Sequence, residues 1–77
     1  MTKKQKIIYD TIQEFIEING YSPTIREICD LVGLSSTATV FVHLKKMKDK
    51  GYLTFKEGFS RTIVLYKIEE ENNENVI

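Results

Sequence analysis

The residues with chemistry to offer are basic and hydroxylated, and they crowd the middle of a chain of 77 residues. Between positions 43 and 68 stand Lys45, Lys46, Lys48, Lys50, Lys56, Arg61 and Lys67, opposed only by Asp49 and Glu57. Just ahead of them, "LSSTATVFV" (34–42) sets the hydroxyls of Ser35, Ser36, Thr37 and Thr39 among small and apolar side chains. Clustered ammonium and guanidinium groups suit a polyanion, because each neutralises a phosphate and releases a condensed counterion. Hydroxyls and free backbone amides add short directional contacts to phosphate oxygens or base edges. The net charge of zero hides this cluster, since acids at 10–30 and 69–77 offset it.

Other chemistries find little support. With one histidine and one cysteine there is no Cys/His ligand cluster and no internal disulfide. His43 falls between Val40 and Met47 and is expected to be a packed histidine satisfied locally. Cys29 lies on an apolar face and reads as a small buried hydrophobe. No enzyme activity, metal or cofactor is expected. A lone thiol fits a reducing compartment, and no apolar run nears the roughly 20 residues of a membrane helix. "MTKKQKIIYD" lacks the apolar segment of a secretory leader. These features predict a cytoplasmic protein with no membrane partner. A hydrophobic fraction of 42% is too high for disorder throughout, and the length admits a single domain.

Helical and strand signals then place the candidate residues. Thr2 with Gln5 forms a capping-box pattern ahead of Ile7, Ile8, Ile12, Phe15 and Ile16 at helical spacing, so a first helix is predicted from about Lys3 to Ile18. Gly20 suits the left-handed position past its end. Pro23 keeps Ser22 extended, and Thr24 with Glu27 repeats the capping box for a second helix from Ile25 to Leu31 or Val32. After Gly33, Leu34 and Ser35, Ser36 can cap a third helix that Gly51 ends. Two short helices with so brief a Gly-containing connection form a helix-turn-helix. From Tyr52 the period becomes two. "YLTF" and "TIVLYKI" read as strands flanking "KEGFSR", with Gly58 at the turn, Leu53 and Phe55 on one face of the first, and Ile63 and Leu65 on one face of the second. Tyr21 and Tyr52 are expected to pack around the turns between elements. The predicted fold class is mainly α with a small β-hairpin: a winged helix-turn-helix over residues 1–68, followed by an acidic tail at 69–77 expected to be disordered.

Such a fold offers a helix narrow enough for the major groove, with orphan amides at its start. Lys56 and Arg61 flank the hairpin tip, where a wing can reach the backbone or the adjacent minor groove. The segments "GYSPTIREI" (20–28), "VGLSSTATVFVHL" (32–44), "KG" (50–51) and "GFSRTIVL" (58–65) together resemble the N-terminal DNA-binding domain of the LexA family, bacterial repressors of the DNA-damage response. The resemblance runs from Thr2 to Leu65 without a gap. It implies binding of a double-stranded DNA operator and repression of transcription. It further implies that Ser36, with its amide, meets the DNA backbone and that Thr37, Ala38, Thr39 and Phe41 point at base edges. Arg61 matches a wing arginine, and Lys50 with Gly51 matches the turn into the first strand.

With so few polar groups at the start of the third helix, a half-site rich in thymine methyls is expected. Ser35, Ser36, Lys45, Lys46, Lys56 and Arg61 are the expected backbone contacts. Phe41 and Val42 depart from the polar or small residues common in the family. Phe41 therefore has two readings, a base contact or a ring packed under the hairpin. An alternative function uses Phe41, Val42 and the wing to bind a protein partner, with the acidic tail as an autoinhibitory segment. Useful specificity calls for two half-sites, hence a homodimer formed on DNA. Full-length family members continue into a self-cleaving protease domain, and residues 66–77 hold no Ser and Lys pair of that kind.

Overall fold

In a computed structural model, residues 1–68 are described. Helix α1 (Lys3–Asn19) is followed by α2 (Ile25–Val32) and α3 (Thr37–Asp49), then by strands β1 (Leu53–Thr54) and β2 (Val64–Leu65). Both capping boxes form. Thr2 Oγ1 accepts from the Gln5 amide at 3.1 Å, and Thr24 Oγ1 from the Glu27 amide at 3.1 Å. In each case the third helical residue reaches back, Gln5 to the Thr2 amide and Glu27 to the Thr24 amide. Each box satisfies two amides that the helix start would otherwise leave unpaired.

The helix-turn-helix depends on a left-handed residue after α2. Gly33 adopts φ 79 and donates its amide to the Cys29 carbonyl at 2.9 Å. A side chain there would meet the steric penalty of the left-handed region, which glycine avoids. The chain then reverses quickly enough for α2 and α3 to lie 104° apart, within the range typical of this motif. Among the described residues no single helix is long and apolar enough to cross a membrane.

The core is one cluster: Ile8, Tyr9 and Ile12 from α1, Ile28 and Cys29 from α2, Val40, Leu44 and Met47 from α3, and Leu53, Phe55 and Ile63 from the hairpin. Cys29 is buried among them, as its place on the apolar face of α2 predicts. The strands are shorter than their period-two patterns suggest. They form a two-stranded antiparallel sheet with only two registered pairs, Leu53 with Leu65 and Thr54 with Val64. His43 departs from expectation in one respect. It is half-buried beside the start of α1, yet its Nδ1 is buried with no hydrogen-bond partner among the described residues. The predicted acidic tail at 69–77 lies outside the described residues.

Candidate nucleic-acid interface

Ser36 caps α3 in extended conformation, its Oγ accepting from the Thr39 amide at 3.3 Å. The Val40 amide reaches the Ser36 carbonyl at 3.4 Å. The amides of Thr37 and Ala38 have no partner among the described residues, so two donors at the positive end of the helix face outward. Ser35, Ser36, Thr37, Ala38 and Thr39 are all exposed. This arrangement can hold a phosphate oxygen at the helix start while small side chains approach base edges.

Further along, helical spacing selects one outward row. Ala38, Val42, Lys45 and Asp49 follow at i, i+4, i+7 and i+11, flanked by Thr39 and Lys46, and all are exposed. Phe41 is not brought to this row. It is half-buried, and its ring meets Phe55 edge-on at 5.9 Å, so its packing partner is the root of the hairpin. Val42, half exposed at 50%, occupies the middle of the row instead. Its helical spacing from Ala38 is the signal in the sequence that marks it, one easily overlooked beside the larger Phe41 ring.

The cations are not equally free. Lys45 Nζ sits 2.7 Å from Glu57 Oε2, joining α3 to the loop between the strands. That hydrogen bond, followed by the charge of its partner, raises the Lys45 pKa and lowers that of Glu57. Lys48 donates to the Phe55 carbonyl at 2.9 Å and lies over the Phe55 ring, which makes it a strut for β1. Lys56 Nζ stands 4.6 Å from the Phe59 ring centre at the tip of the loop, and Phe59 is 61% exposed. Lys46 and Lys50 make no ion pair or ring contact among the described residues.

Arg61 is the most committed of the set. Its Nη1 and Nη2 each lie 3.1 Å from a carboxylate oxygen of Glu27. The same Nη1 also donates to the Ser22 carbonyl at 3.1 Å. The guanidinium covers the Tyr21 ring at 4.8 Å. Hydrogen bonds from the Thr24 amide and then from Arg61 hold the Glu27 carboxyl below its usual pKa. Among the described residues no group of three or more His, Cys, Asp or Glu is arranged to hold a metal ion.

Residues 1–62 match the family described as the LexA DNA binding domain. The LexA repressor of Desulfatibacillum aliphaticivorans is 42% identical over 67 residues, covering 87% of this chain and 33% of that protein. That of Staphylococcus epidermidis is 39% identical over 79 residues, covering 100% of the chain and 38% of the protein. That of Staphylococcus aureus is 36% identical over 76 residues, covering 99% and 36%. The chain thus spans about a third of the length of the curated relatives it matches. The chain has the three helices and the two-stranded wing set out above, and with the match over residues 1–62 it belongs to the LexA DNA-binding domain family.

Proposed function

We propose that this chain binds duplex DNA in a sequence-dependent way and serves as the operator-reading module of a transcriptional repressor of the DNA-damage response, working in the cytoplasm alongside the chromosome. The observation that carries the reading is the exposed run from Ser35 to Thr39 with its two open amides. In this reading the Thr37 and Ala38 amides and the Ser35 and Ser36 hydroxyls hold a phosphate. Thr37, Ala38, Thr39 and Val42 face base edges, where hydroxyls hydrogen-bond and methyl groups pack on thymine. Lys45, Lys46 and Lys56 supply backbone attraction. Phe41 supports the row from behind by holding α3 against Phe55, leaving the methyl-reading role to Val42. Two copies occupy two half-sites about one helical turn apart, paired on the DNA.

Selection of preferred duplexes from a random pool, followed by titration over a salt series, tests this. The expected result is a palindrome of A·T-containing half-sites, bound with an affinity that falls steeply with salt. Binding that is equally weak for every sequence, with no enriched site, would refute it.

A further inference from the structure

We infer that Glu27 is a positioning residue for DNA recognition: by gripping Arg61 it fixes the wing to the start of α2 and so sets the angle at which the wing meets the duplex. The inference rests on the DNA-binding reading above and adds a device that governs it.

The two-pair ladder of the hairpin is too short to direct the wing by itself. Besides the ties that Lys45 and Lys48 make from α3, side chains from α2 and from the loop before it direct the wing. Ser22, a buried residue of that loop, accepts the Ile63 amide on its Oγ at 3.1 Å. Just ahead of Ile63 in the chain, Arg61 makes its forked pair with Glu27 and its bond to the Ser22 carbonyl. A planar fork matched to a carboxylate fixes orientation as well as distance. Arg61 holds φ 57, the one left-handed residue other than glycine among those described. That backbone conformation is disfavoured for a residue with a Cβ and persists where surrounding contacts over-determine it.

Glu27 Oε1 is also the acceptor that closes the cap of α2, taking the Thr24 amide at 2.9 Å. One carboxylate therefore ties the wing to the helix that leads directly into the recognition turn. A wing already held at its working angle loses less freedom on binding than one that swings, which is the general advantage of preorganisation.

A simpler role for Arg61, contact with phosphate, makes the opposite forecast. If Glu27 only neutralised Arg61, replacing it by glutamine would remove a competing negative charge and strengthen binding to DNA. The latch requires the reverse. Glu27→Gln, Arg61→Gln and the double variant of the 77-residue chain are to be titrated against its selected duplex over a salt series, with amide exchange measured at Ile63 and at Ile12. In Glu27→Gln the side-chain carbonyl can still accept the Thr24 amide, so the cap survives. Each single change is expected to weaken the selected site by about threefold to tenfold, and the double change by no more than the larger single loss. Exchange at Ile63 should quicken while that at Ile12 stays as it was. Equal or tighter binding by Glu27→Gln, or a double loss equal to the product of the single ones, overturns the latch. If the unaltered chain selects no duplex, the DNA reading itself falls; Ile63 exchange unchanged in Glu27→Gln would separately dispose of the latch.

Discussion

The helical half and the wing are held together by different kinds of contact. The cap bonds of the helices join residues three positions apart, as in Thr2 with Gln5, Thr24 with Glu27 and Ser36 with Thr39. The wing is held across the chain. The Ile63 amide reaches back 41 positions to Ser22, Arg61 reaches back 34 to Glu27, and Lys45 reaches forward 12 to Glu57. Local rules specify where the helices begin, whereas the wing takes its direction from residues remote in the chain. A change in either half should therefore leave a different trace on stability and on DNA affinity.

The largest effect is expected where the halves meet. Leu44 is fully buried and lies with Pro23, Ile25, Phe55 and Ile63 at the junction of α2, α3 and the hairpin. Leu44→Ala should cost about 2–5 kcal/mol and lower the melting temperature for probes of both halves together. A hairpin probe that melts separately would break the idea of one core. Thr24→Ala, which removes only a local cap, should cost about 1 kcal/mol. Once corrected for the folded fraction, its DNA affinity should stay level; a loss would mean that the cap itself positions α2 for recognition.

The same contrast explains what can be read from the sequence. Helix starts at Lys3, Ile25 and Thr37 follow from Thr2, Thr24 and Ser36, because a cap is a property of four consecutive residues. The strand patterns "YLTF" and "TIVLYKI" identify a hairpin but not its short ladder, since alternation records which side is buried and not whether the facing backbone pairs. Arg61 is expected from the sequence to be a backbone contact beside the tip; its grip on Glu27 is not legible there because that partner lies 34 positions back. Phe41 and Val42 are harder still. They are neighbours in α3, and which of them faces outward is decided by the long-range packing of Phe55 on Phe41.

Those two residues make the next comparison. Phe41→Ala removes an edge-to-face partner of Phe55, an arrangement worth about 0.5–1.5 kcal/mol beyond burial. It should lower the melting temperature while affinity per folded molecule is retained. Val42→Ala should do the opposite, leaving stability nearly level and weakening the preferred site by about 1 kcal/mol, the low end for losing one base contact. Swapped outcomes would return Phe41 to the base-reading set.

Acid should loosen the wing and the cap of α2 before the rest of the helical core. Glu27 and Glu57 both titrate below their ordinary value of 4.5, Glu27 chiefly through the Thr24 amide and then Arg61, Glu57 chiefly through Lys45. A carboxylate with a lowered folded pKa contributes its full stabilisation above the unfolded value and loses it as pH falls through the folded one. The wing contacts should therefore be constant from neutral pH down to about 4.5 and weaken only below it. Amide shifts of Ile63 and Glu57 followed against pH would show this, with Ile12 as the reference. A transition near neutrality would point to a different titrating group.

The smallest stability effect and the clearest electrostatic one belong to Glu57. Its carboxylate and the Lys45 ammonium are both about half exposed, so their mutual attraction is weakened by water and salt. Glu57→Gln should leave the melting temperature almost unchanged. It nevertheless frees Lys45 on the outward row of α3 and removes an acid beside the proposed backbone contacts. Affinity for duplex DNA should rise at low salt for preferred and random sequences alike, and the salt dependence should steepen by about one phosphate contact. The rise should vanish as salt is increased, because the liberated charge carries no sequence information. A gain confined to the preferred site would mean that Glu57 shapes base reading. No gain at all would place Lys45 away from the duplex and leave Lys46 and Lys56 to carry the backbone attraction.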